Sequence, residues 1–168
     1  MWGLALLFLG ARAQPGDAVS PALDVRHPPA RIGQALADVL SNWGERATFG
    51  ADCGSWRGPS VDLEVAWQGE PLRVMALLQG DRVTALRYEQ TLEGTQDAAQ
   101  CVVRLDVFQR KWREAGVVAG DERERVYDGP VIRAARSAVR AGFAVGSFEA
   151  DYRQSRTQCR VALVVTRP

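Results

Sequence analysis

The chain has 168 residues, of which 46% are hydrophobic and 24% charged, and its formal net charge at pH 7 is +1. This composition is typical of a folded globular protein and excludes a disordered chain. A dedicated nucleic-acid-binding protein usually carries a strong positive excess, so we expect no nucleic-acid partner.

The N-terminus is apolar from Trp2 to Gly10, and Ala11-Arg12-Ala13 follows this run. A short apolar core before a small-x-small site predicts a secretory signal peptide at residues 1–13, so the mature protein is expected to be secreted or periplasmic. The usual basic residue is missing, which leaves a misassigned start or a buried strand as alternatives. The run is far shorter than the ~20 residues that span a bilayer, and we predict no transmembrane segment in the mature chain.

Residues 14–22 are predicted to be a linker, because glycine and proline interrupt regular structure there. The first half, residues 23–92, then reads strand, helix, strand, strand, helix, strand. Its predicted strands are 23–25, 47–49, 61–67 and 85–92, and its predicted helices are 30–43 and 71–79. The last helix is ambiguous, because its apolar residues also alternate; Pro71 at the start and Gly80 past the end favour the helix.

Several short segments of this half have the spacing of a known family. They are Gln34-Ala35-Leu36 before a helix that ends at Gly44, then Val61-Asp62-Leu63, Leu77-Leu78-Gln79-Gly80 and Leu86-Arg87-Tyr88. Residues 23–92 thereby resemble the short N-terminal (STN) domain of secretins and TonB-dependent transducers. The resemblance implies two helices packed against a small sheet, and a periplasmic protein-interaction domain rather than an enzyme.

Residues 95–168 resemble no family that we recognise. Asp97 predicts the N-cap of a helix that runs to about Ala115. The charged run 121–125 is predicted to be a solvated loop, 129–141 a helix, and 147–154 with 158–166 an antiparallel hairpin. The predicted fold class is therefore α+β, with small mixed sheets and packed helices in two halves that could form one continuous domain.

The chain contains three cysteines, Cys53, Cys101 and Cys159. In an oxidising compartment at least one pair is expected to form a disulfide. We favour Cys101–Cys159, because both lie in the second half and could join a helix to a strand. The alternative is three buried thiols without a bridge.

Few residues point to catalysis, and we predict no cofactor and no metal site. His27 is the only histidine, which excludes zinc sites with several histidines. The segment Cys53-Gly54-Ser55-Trp56 partly matches papain-like proteases, but no histidine follows to activate the thiol. We therefore expect a structural or solvent-exposed role for His27 and a turn or disulfide at Cys53.

Two carboxylate pairs, Asp62/Glu64 and Glu149/Asp151, lie at alternate positions in predicted strands. Paired carboxylates carry out glycoside hydrolysis, so either pair could serve a small secreted hydrolase acting on cell wall or polysaccharide. The alternative is that they lie on the solvated face of a strand.

Candidate binding residues are Trp56, in the loop 53–59, and Arg133, Arg136 and Arg140, on one face of the predicted helix 129–141. The arginines could contact an anionic partner, or could form a solvated face. We predict a secreted or periplasmic, non-catalytic interaction module, with an envelope protein as partner, that assists envelope assembly or secretion. The alternatives are the hydrolase and a secreted inhibitor that presents the loop 53–59 to an enzyme.

Overall fold

The computed structural model describes residues 20–54, 56–128, 131–139 and 145–167. This part of the chain contains two α-helices and eight strands. In chain order they are α1 (Leu36–Trp43), β1 (Thr48–Ala51), β2 (Pro59–Trp67), β3 (Glu70–Gln79), β4 (Arg82–Leu92), α2 (Ala98–Glu114), β5 (Val118–Asp128), β6 (Val131–Val139), β7 (Val145–Arg153) and β8 (Gln158–Thr166).

The eight strands form one sheet in the order β1-β2-β3-β4-β8-β7-β6-β5. Every neighbouring pair is antiparallel. Each half of the chain supplies one helix followed by four consecutively paired strands. The fourth strands of the two halves, β4 and β8, pair at the centre, so the first strands, β1 and β5, lie at the two edges.

The predicted fold class is wrong, because a single antiparallel sheet replaces the small mixed sheets. Residues 71–79 belong to β3 and not to a helix, so the two-helix arrangement implied by the STN resemblance is not found in the described residues of 23–92. A two-residue turn with positive φ at Gln68 and Gly69 joins β2 to β3, which is the geometry that favours a tight hairpin. Side chains on both faces of β3 are buried, and β2 and β4 pair with its two edges, so β3 is a central strand of the sheet.

In the second half, too, segments that were not predicted to be strands form strands. The predicted charged loop is β5, and most of the predicted helix 129–141 is β6. β6 pairs with β5 on one side and with β7 on the other. Local composition gives little signal for such strands, because pairing with distant neighbours decides their conformation.

Other elements are confirmed. Helix α2 begins where expected, and the Asp97 side chain accepts a hydrogen bond from Gln100 N at 2.7 Å. The C-terminal hairpin is present as β7 and β8. Helix α1 is shorter than predicted, since it begins at Leu36 after Gly33, whose φ of 90° is not helical. The predicted strand at 23–25 is not formed, and one isolated bridge joins the preceding residue, Ala22, to Ala66.

The main core lies between the two helices and one face of the sheet, here called the helical face. Five aromatic rings form its centre, and the Trp67 and Trp112 rings stack with centroids 4.3 Å apart. Burial of each large apolar side chain contributes roughly 1.5–3 kcal/mol, so this cluster holds α2 on the sheet. The other rings are Tyr88, Phe108 and Phe148.

A disulfide joins Cys101 of α2 to Cys159 of β8, with Cα atoms 5.5 Å apart. This is the pair favoured from the sequence. Both cysteines are fully buried in the core, so the bridge locks the helix to the centre of the sheet.

Candidate functional site

The opposite face of the sheet, here called the polar face, carries six charged side chains close together. Three are acidic and three are basic, so the group is formally neutral. We refer to them as the polar cluster: Asp62, Glu89, Glu149, Arg73, Arg87 and Arg160.

Arg87 lies at the centre of the cluster and is only 2% exposed. Its Nε donates to Glu89 Oε2 at 2.9 Å, and its Nη1 donates to Glu149 Oε2 at 2.5 Å. Glu89 also faces Arg160, with 3.9 Å between Oε1 and Nη1. These contacts keep the pKa of Arg87 raised against the opposing effect of burial, so the guanidinium stays charged between two carboxylates.

A second ion pair lies on the neighbouring strands β2 and β3. Asp62 is 2% exposed and binds the guanidinium of Arg73 on β3. Its other oxygen accepts a hydrogen bond from the Ser60 hydroxyl at 2.7 Å. Both oxygens of Asp62 are therefore occupied.

The loop after β1 folds over this face. Cys53 is buried against Met75, Leu77 and Ala85, and Trp56 packs on the same small cluster. The loop closes on itself, because Gly58 N donates to the Asp52 carboxylate at 2.9 Å and Arg57 binds the carbonyl oxygen of Gly54 at 3.1 Å.

The Cys53 thiol is free but poorly suited to nucleophilic chemistry. Burial raises its pKa above the ordinary value of 9.0, and the positive charge of Arg87 offsets this only in part. Since the thiolate is the nucleophile, the protonated thiol under the loop is inert at neutral pH.

Within each predicted carboxylate pair, the two side chains differ in burial and in binding partner. Asp62 and Glu149 are buried and bound to arginines, whereas Glu64 is exposed and Asp151 is bound to Arg153 at 3.3 Å. A carboxylate saturated by a charged partner is poorly placed to exchange protons with a substrate. Neither pair offers one free acid beside one free base.

The predicted binding residues are not brought together. Trp56 is half-buried under the loop rather than projecting from it. Arg133 and Arg136 lie on β6, so the argument from a shared helix face does not apply to them. Arg140 lies outside the described residues.

The most exposed apolar side chains of the described residues lie mainly on the edge strands. On β5, Val126 is 45% and Tyr127 is 63% exposed; on β1, Phe49 is 71% exposed. The register of β5 with β6 is regular from Glu124 to Asp128, and irregular on the N-terminal side of Glu124. The C-terminal part of β5 therefore offers a regular strand edge, flanked by exposed apolar side chains.

Neither the polar cluster nor the exposed apolar end of β5 is predicted by the sequence. Arg87 and Glu89 alternate within an otherwise apolar strand, which is a usable signal for a buried ion pair. Val126 and Tyr127 directly follow the charged run 121–125, for which the sequence predicts a loop. Their position at an edge depends on the order of strands, which no local pattern indicates.

The described residues hold neither a metal-binding group nor a membrane-spanning helix. They contain no group of three or more His, Cys, Asp or Glu side chains placed to hold a metal ion. No helix among them is both long and apolar enough to cross a membrane. Comparison of the chain with protein families, with curated proteins and with solved structures finds no match.

Proposed function

We propose that this protein is a secreted or periplasmic, non-catalytic interaction module that binds an extended segment of a partner protein along β5. The location is supported by the apolar leader with its Ala11-Arg12-Ala13 site and by the buried Cys101–Cys159 disulfide, since disulfides persist in oxidising compartments. An accessory role in envelope assembly or secretion is part of the proposal, and its support is the apolar leader alone.

The edge strand β5 carries the proposal. A strand at the end of a sheet presents a row of backbone donors and acceptors that another chain can pair with. β5 is 11 residues long, and its regular end carries Val126 and Tyr127. Neighbouring residues of a strand point to opposite faces, so an added strand would find an apolar contact on each face.

The ion pairs of the polar face favour binding over hydrolysis. Asp62 and Glu149 neutralise arginines in the folded protein. Because each of these carboxylates is bound to an arginine, the charged side chains can be buried on the sheet.

Photo-crosslinking tests this function. A photoreactive phenylalanine at position 127 of the secreted protein should crosslink to one extracytoplasmic protein, and the identical probe at position 49 should not. Hydrogen exchange of the purified complex should then show protection of the β5 amides from residue 125 to residue 128.

Substitutions provide the second part of the test. The double variant Val126→Lys/Tyr127→Lys should lose the partner, because charged lysines protect strand edges from pairing. Phe49→Lys is the matched control, since Phe49 is an exposed apolar residue on the opposite edge strand. Equal loss of binding in both variants, or protection elsewhere than β5, would contradict the proposal.

A further inference from the structure

The two faces of the regular end of β5 differ in charge. Arg125 binds Asp106 of α2 at 2.7 Å, so Arg125 and, two positions further on, Tyr127 belong to the helical face. The charges of Arg125 and Asp106 cancel, and this face offers an added strand the exposed ring of Tyr127. Alternation along the strand assigns positions 124, 126 and 128 to the polar face.

The polar-face positions at this edge are acidic at both ends and apolar in the middle. Their residues are Glu124, Val126 and Asp128, and Val126 is 45% exposed. On β6, apolar residues stand opposite the two acidic positions, and one basic residue, Arg133, stands opposite Val126. Two acidic positions against one basic position leave this edge net acidic.

A second copy of this chain does not suit the edge. In a two-fold antiparallel pairing one residue lies opposite its own copy, and the residues on either side pair crosswise. A register centred on Val126 sets Glu124 against Asp128, and one centred on Arg125 sets two arginines against each other. Like charges directly opposite destabilise strand pairing. A register centred on Tyr127 pairs only the last three residues of β5, since the strand ends at Asp128.

We infer that the partner segment bound along β5 carries two basic residues four positions apart, with an apolar residue midway between them. This inference rests on the proposed function, because it specifies the segment that β5 binds. The basic residues stand opposite Glu124 and Asp128, and the apolar residue packs on Val126. The two intervening residues are neutral and stand opposite Arg125 and Tyr127. Two pairs of opposite charge across a strand pair account for about tenfold in affinity.

The test uses three pentapeptides with acetylated and amidated ends, titrated into isotope-labelled protein. They are Lys-Thr-Val-Thr-Lys, its acidic counterpart Glu-Thr-Val-Thr-Glu, and Thr-Lys-Val-Lys-Thr, in which the lysines are moved to the intervening positions. We expect the first peptide to shift the NMR signals of the backbone amides of residues 125–128, with an affinity that falls as salt is added. The other two should bind there at least tenfold more weakly, on the order expected for two charge pairs.

Exchanging the charge on the protein should reverse the preference. The double variant Glu124→Lys/Asp128→Lys should bind the acidic peptide more tightly than the basic one. The matched control is Glu45→Lys/Glu114→Lys, which makes the same total change of charge at two exposed acidic residues outside β5. It should keep the preference of the unaltered protein.

The possible outcomes separate this inference from the proposed function. Equal binding of all three peptides at residues 125–128, or a reversed preference in the control variant, would overturn the inference and leave strand binding at β5 standing. If no peptide shifts the amides of these residues, strand binding at β5 is itself contradicted, and the proposed function fails with it.

Discussion

Gly54 lies directly on the guanidinium group of Arg87. A Cβ atom at residue 54 would be 2.5 Å from Arg87 Nη1, closer than carbon and nitrogen can approach without a bond. Arg87 cannot easily withdraw, because it is bound to Glu89 and Glu149. The loop can therefore close over the polar cluster without displacing Arg87 only with glycine at this position.

Gly54→Ala should lower the free energy of unfolding by about 1–3 kcal/mol more than Gly44→Ala, because overpacking adds to the backbone cost. Gly44 is the matched control: its φ is also 57°, and an added Cβ would meet nothing within 4 Å. Urea unfolding of the two variants measures the difference. Equal losses would mean that the loop does not press on Arg87.

Arg87→Met should cost about 3–5 kcal/mol, because it removes the buried cation that lies between Glu89 and Glu149. The triple variant Arg87→Met/Glu89→Gln/Glu149→Leu should recover most of this loss, since the two buried carboxylates that Arg87 neutralises are removed with it. Thermal unfolding of both variants tests the prediction. A triple variant less stable than Arg87→Met would show that the cluster stabilises the fold by itself.

Reduction of the Cys101–Cys159 disulfide should destabilise the protein by about 4 kcal/mol, because opening a loop of this length raises the entropy of the unfolded chain. The two cysteines are 58 residues apart in sequence. The double variant Cys101→Ser/Cys159→Ser, measured by urea unfolding, should show a similar loss. Cys53→Ser is the control, and a reducing agent should destabilise that variant as much as the unaltered protein.

Glu70 links the sheet to α2, because its Oε2 accepts hydrogen bonds from Lys111 Nζ at 2.7 Å and from Gln90 Nε2 at 2.5 Å. The bond from Lys111, and then that from Gln90, holds the pKa of Glu70 below its ordinary value of 4.5. A lowered pKa in the folded state contributes stability that is present above pH 4.5 and is lost as the pH falls through the folded value.

When the pH falls from 7 to 3, the free energy of unfolding of the Lys111→Met variant should therefore decrease less than that of the unaltered protein. The difference should stay below about 1 kcal/mol, since both side chains are partly exposed. Urea unfolding at the two pH values measures it, and Lys111→Arg should behave like the unaltered protein. Identical acid losses in all three proteins would show that this ion pair does not contribute.

Cys53 should react slowly with thiol reagents at pH 8, because burial raises its pKa and the loop covers it. Trp56→Ala removes an apolar contact that holds the loop on Met75 and Leu77, so it should speed the reaction at least tenfold. Arg113→Ala, on α2, is the control. Fast labelling of the unaltered protein would show that the loop opens readily.

The fold illustrates where a local pattern is informative. The apolar stripe of α2 and its Asp97 cap lie within 20 residues of each other, so the sequence alone indicated that helix. Residues 71–79 carry apolar side chains at every second position and also between them, which suits both a helix and a buried strand. The neighbours β2 and β4, and not the segment itself, select the strand.

The candidate sites also depend on contacts that the local sequence does not indicate. The sequence identified Asp62 and Glu149 as carboxylates in strands, but their arginine partners come from other strands, 11 and 62 residues away. Trp56 was expected to be exposed because its neighbours in the chain are small or polar. It is half-buried because the loop folds back onto Met75 and Leu77, a contact that the local composition does not encode.

The sequence by itself determined the elements whose signals are local: the cap of α2, the alternation of β2, and the C-terminal hairpin. It also led to the cysteine pair that the structure joins. Only the tertiary structure decided that 118–128 and 131–139 form strands, that β1 and β5 lie at the edges, and that charged residues meet on the polar face. The reason is physical, because strand order and buried ion pairs depend on contacts between residues far apart in the chain, and period and composition report only on neighbours.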